Sequence, residues 1–176
     1  MKYREAQIAR NRRITKWAKE KLEALQTSGR ALEEFAFTTH GTMADPRWLD
    51  PSVDPNDRVP GQCYLGDPRI VNMSPVGLAR ASTLRSWLSQ WSFNDAKADG
   101  PKCAGSISKP VLVINNTADD ACTPSHADRL FNGVQHKNKK RYDIKGATHY
   151  YQGQRDLAHY AASKVLNWLH DIGLKI

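Results

Sequence analysis

Two short stretches of this 176-residue chain carry residues able to pass a proton between them. The first, Asn115-Asn116-Thr117-Ala118-Asp119-Asp120-Ala121-Cys122-Thr123-Pro124, holds two adjacent carboxylates and a thiol. The second, Lys145-Gly146-Ala147-Thr148-His149-Tyr150-Tyr151, holds a histidine. A buried carboxylate that accepts an imidazole N–H fixes the ring's tautomer and stabilises the imidazolium formed on protonation. The histidine can then serve as general base toward a nucleophile and as general acid toward a leaving group.

That chemistry requires the two loops to meet, and the flanking sequence supplies a means. Pro110-Val111-Leu112-Val113-Ile114 is a continuous apolar run of the kind found in a buried parallel strand. A helix is predicted from Thr123-Pro124-Ser125, with Ala127, Leu130, Phe131 and Val134 on one face. Arg141-Tyr142-Asp143-Ile144 reads as a second, shorter strand. A last helix carries Leu157, Ala161, Val165, Trp168 and Ile172 and breaks at Gly173. Strand, helix, strand and helix in that order predict a parallel pair with a right-handed crossover. Both loops then lie at carboxyl ends of strands, where functional groups gather in open α/β sheets.

The segment from Pro110 to Leu174 resembles the C-terminal end of the α/β-hydrolase superfamily. In that family the acid follows the penultimate core strand in a strand-x-Gly-x-x-Asp-x-x-x-Pro pattern, and the histidine follows the last strand in Gly-x-x-His. Asp119 lies three residues after Asn116, which stands where the family often has Gly, and His149 lies three after Gly146. Acid before histidine is also the family's order. The acidic position is doubled: counting from the strand end selects Asp119, and counting back from Pro124 selects Asp120. Asp119 is preferred, because distance from a strand end is fixed while loops accept insertions. The resemblance implies an α/β fold, a partial α/β-hydrolase, with residues 1–108 as a helical and irregular cap- or lid-like region. Residues 109–176 would be the terminal β-α-β-α of a parallel sheet. It further implies a serine–histidine–aspartate mechanism on small carboxylic ester or related acyl substrates, with Asp119 and His149 catalytic and no cofactor or metal.

The chain departs from the family in one respect that bears on activity: no Gly-x-Ser-x-Gly occurs in it. That motif sets the serine on a tight strand-to-helix turn with its hydroxyl exposed. The nearest imitation, Met73-Ser74-Pro75-Val76-Gly77, lacks the preceding Gly and apolar strand, and its Pro would spoil the turn. Cys122 sits on the acid's own loop and is not expected to face the histidine as a substitute. The expectation is a truncated or split gene product, or one half of a two-chain enzyme whose other chain supplies the N-terminal half, inactive as written. Two strands from the edge of a larger sheet would also leave an unpaired edge, predicting that the isolated chain is marginally stable and aggregation-prone, or needs a partner supplying the rest.

The rest of the chain is read more coarsely. Ile14, Trp17, Ala18, Leu22 and Leu25 recur at helical spacing, with Ser28-Gly29 as a stop. Between His40 and Pro75, four Asp-Pro turns interleaved with Trp48, Leu49, Tyr64 and Leu65 predict an ordered excursion pinned by aromatics. A second helix is predicted over about Val76 to Trp91, with Ala81, Leu84, Trp87, Leu88 and Trp91 on one face, then a polar loop from Asp95 to Gly105. Cys63, Cys103 and Cys122 lack the paired spacing of a disulfide or zinc framework and are expected as packed thiols. His126, His159 and His170 likewise lack paired ligand spacing and are expected at the surface or in packing. The net charge of +8 crowds the first helix and Lys137 to Arg141, yet no nucleic-acid module accompanies it, so a solvated face is expected. With no apolar segment after its charged start, the chain reads as a cytoplasmic protein without membrane contact. Two other classes remain open: a non-catalytic remnant or interaction module, and a basic nucleic-acid-associated protein, which salt-dependent binding would reveal.

Overall fold

The computed structural model describes residues 2–30, 35–39, 48, 50, 52–73 and 81–174. They fall into two compact units, Met1–Pro46 with Gly66–Asp99, and Arg47–Leu65 with Gly100–Ile176. The described residues from 48 to 65, expected in a cap-like region ending at 108, group with the segment that carries the C-terminal strands.

In the first unit, α1 (Lys2–Thr27) turns Ile14, Ala18, Leu22 and Leu25 of its apolar stripe inward, whereas Trp17 is 39% exposed. Ala18, Leu84 and Trp87 are buried, and Ile14, Leu22, Leu25, Phe35, Phe37, Leu88 and Trp91 pack around them. Gly29 ends the helix at φ 74°, a left-handed conformation that glycine adopts without steric cost. Its N–H bonds the Gln26 carbonyl at 3.1 Å and the Arg30 N–H bonds Leu25 at 2.8 Å, satisfying carbonyls left open by the helix end. β1 (Ala36–Thr38) pairs antiparallel with β2 (Ala81–Thr83). α2 (Pro68–Met73) lies between them in sequence. The helix predicted over Val76–Trp91 is thus corrected. Residues 81–83 are a strand, and α3 (Leu84–Ser86) starts behind a capping box in which the Thr83 and Ser86 side chains each bond the other's backbone N–H. A π-helical turn, Trp87–Trp91, continues it. Residues 76–80 lie outside the described residues.

In the second unit, β3 (Val111–Asn116) pairs in parallel with β4 (Lys139–Ile144), Val111 opposite Lys139 and Asn116 opposite Ile144. The second strand is as long as the first, not shorter. α4 (Gly100–Ala104) interrupts the expected polar loop. α5 (Pro124–Gly133) begins after Thr123 with Pro124 in its first turn, and α6 (Arg155–Asp171) follows β4. Ile144, Ala147 and Ala161 form the buried cluster, with Ile114, Tyr142, Tyr151 and Leu157 against it. Leu130 of the predicted apolar face is 37% exposed. Among the described residues β3 and β4 pair with each other alone. No helix of the described residues is long and apolar enough to cross a membrane.

Candidate functional site

Because Asn116 and Ile144 are register partners, the two loops leave their strands side by side. Backbone bonds then tie them together: Thr117 N–H to the Ile144 carbonyl at 3.0 Å, and Ala118 N–H to Ala147 at 2.9 Å. The Gly146 N–H donates to Thr117 Oγ1 at 2.8 Å, and Gly146 holds φ 73°, which explains glycine at that place. Asn116, standing where glycine was expected, adds a cross-link of its own. Its amide donates to the Thr148 carbonyl at 3.0 Å and accepts from the Tyr151 hydroxyl at 2.7 Å. Gln154, just before α6, closes the histidine loop, accepting from the Thr148 N–H at 2.8 Å and donating to the Gly146 carbonyl at 2.7 Å.

These ties bring Asp119 and His149 together. His149 Nδ1 lies 3.0 Å from Oδ2 and 3.2 Å from Oδ1 of Asp119. The Asp119 side chain is 10% exposed and that of His149 is 31% exposed. The N–H groups of Ala121 and Cys122 both donate to Asp119 Oδ1 at 2.7 Å, so the carboxylate is held from one side by its own loop and presented to the ring from the other. Of the two candidate acids, then, Asp119 meets the imidazole. Asp120 contributes its carbonyl instead, accepting from the Tyr64 N–H at 3.1 Å and from Trp48 Nε1. Tyr150 stands edge-on to the His149 ring at 4.6 Å, and Tyr64 lies 6.0 Å from both rings. Burial, with Tyr150 next to it, pushes the Tyr64 phenol upward.

The segment preceding Tyr64 contributes supports that were not expected from sequence. Asn56 donates its amide to the Asp119 carbonyl at 2.8 Å, and the Asp57 N–H donates to Thr117 at 2.7 Å. The Asp57 carboxylate accepts from Thr117 Oγ1 and pairs with Lys145 at 2.7 Å. The Lys145 ammonium and the Thr117 hydroxyl hold Asp57 below its ordinary value. Buried Arg58 organises the turn by donating to the carbonyls of Asp54 and Val53 and to Asn56 Oδ1. The repeated Asp-Pro and Asn-Asp residues are the sequence signal for such a segment, but they mark only that the chain turns. Polar groups pin the segment beside the buried Trp48, whereas Leu65 is 49% exposed and Leu49 lies outside the described residues.

Cys122 is nearer than its loop position suggested. One ligating atom each from Asp119, Cys122 and His149 lie within 4.8 Å of one another. Of the three cysteines expected as packed thiols, Cys63 is buried but Cys103 and Cys122 are exposed. His159 and His170 are exposed and His126 is half-buried. Ser74, Pro75, Val76 and Gly77 of the nearest serine motif lie outside the described residues.

No family model matches the chain, and no curated protein matches it. Among solved structures the chain is similar to the crystal structure of a monoacylglycerol lipase from Paleococcus ferrophilus, at 20% identity and a TM-score of 0.42. The similarity covers 85% of this chain and 51% of the lipase chain, so the chain spans about half the length of that structure. The described residues form a mixed α/β arrangement of helices and short strands.

Proposed function

We propose that Asp119 and His149 are the acid and imidazole of a hydrolytic relay acting on carboxylic esters or related acyl compounds. In this reading the serine comes from outside these 176 residues, on a further segment or a second chain. The observation that carries it is the contact at 3.0 and 3.2 Å between His149 Nδ1 and a carboxylate already anchored by two backbone N–H groups. With Nδ1–H directed at Asp119, Nε2 is left to take the proton of an attacking hydroxyl. The resulting imidazolium faces the Asp119 carboxylate, and its proton passes to the departing alkoxide. Asp119 remains ionised throughout.

The chain alone lacks a Gly-x-Ser-x-Gly serine and is expected to be inactive. Assays with p-nitrophenyl esters and a fluorophosphonate probe check this: no turnover and no labelling are expected. Supplying a polypeptide with the serine strand should give turnover that His149→Ala lowers by about 10³-fold or more. Turnover by the isolated chain, with covalent labelling of one of its own serines, would contradict the reading.

A further inference from the structure

The Asp119, Cys122 and His149 side chains offer a carboxylate oxygen, a thiol sulfur and a ring nitrogen, all within 4.8 Å of one another. We propose that this cluster binds a borderline-soft divalent cation of the zinc type. Zinc takes all three donor kinds, and its bond lengths imply tetrahedral ligand separations of about 3.3–3.6 Å. The cluster needs to close by only about an ångström to meet them, and Cys122 is the exposed member of the three. A carboxylate and a thiolate together balance the charge of a divalent ion.

The surroundings suit a ligand set. Asp119 Oδ1 accepts the N–H groups of Ala121 and Cys122 at 2.7 Å each, which orients the carboxylate as outer partners orient metal ligands. Burial differs across the cluster: Asp119 is enclosed, while His149 and Cys122 open outward. Three protein ligands with one open side match a site that keeps a position for water or an added ligand, not a closed structural site. Binding rests on this geometry alone. Its consequence, that a metal-bound imidazole cannot also take a proton, rests on the relay reading.

Titrating the reduced full chain with cobalt(II) tests binding apart from any hydrolysis. One equivalent should produce a near-ultraviolet thiolate-to-cobalt band that zinc abolishes. Cys122→Ala and Cys122→Ser, which keep Cys63 and Cys103, should each lose the band. His149→Ala should weaken binding by about tenfold or more. No band with the reduced chain, or a band of equal intensity in both Cys122 variants, would overturn the proposal. The relay reading is decided separately, by the ester assays run with a chelator present.

Discussion

In the first unit Trp87, at 1% exposure, sits among Ala18, Leu84 and Phe37, its ring 5.8 Å from that of Phe37. In the second, Asp119 is held by backbone N–H groups and reached through Thr117, Asn116 and Asn56. Apolar burial stabilises in proportion to area and imposes little direction. Hydrogen bonds contribute less each but fix where an atom points. The first unit is thus built for burial. The second adds the directional ties that an acid–imidazole contact needs.

Substitutions can sharpen or break that contrast. The largest effect is expected from Trp87→Ala. It empties the aromatic cluster and leaves Thr15 Oγ1 without its bond from Trp87 Nε1, at 3.0 Å. A loss of about 3–5 kcal/mol is expected by denaturant unfolding, with little dependence on salt or pH. Thr117→Val keeps the shape but removes the acceptor for Gly146 N–H and the donor to Asp57. About 1–3 kcal/mol should be lost, since the Gly146 N–H is left unpaired in the loop. If this swap proved neutral, the ties between the loops would not be what holds them. The smallest effect belongs to Asp57. Its carboxyl is held below the ordinary 3.8 by Lys145 and Thr117, so its contribution is complete above that value. It is lost as pH falls through the lower, folded value. Asp57→Asn should flatten the acid limb of a stability–pH profile below about pH 4, and the Lys145 part should fade in high salt.

Elements whose signal is local were legible in the sequence. The apolar run before Asn116 and the histidine loop after Ile144 are each readable within ten residues, and their meeting follows from parallel pairing. The long first helix is equally plain, because its stripe repeats over several turns. The strand at Ala81–Thr83 was hidden, since three residues pairing with three others give no period to detect. The supports from Asn56 and Asp57 were also hidden, because they act on residues about 60 positions away and depend on where a turn-rich segment comes to rest. The proximity of Cys122 to Asp119 and His149 is hidden for a related reason, because it depends on a histidine carried by another loop.

The Asp119–His149 contact itself can be measured through the tautomer of the ring. In the neutral imidazole, the nitrogen carrying the proton is set by the hydrogen bond it makes. Nitrogen-15 correlation spectra of the chain, with the His149 signals assigned by His149→Ala, should show the neutral proton on Nδ1. Asp119→Ala should move it toward Nε2. A neutral ring protonated on Nε2 in the unmodified chain, and unchanged in Asp119→Ala, would contradict the pairing on which the account rests.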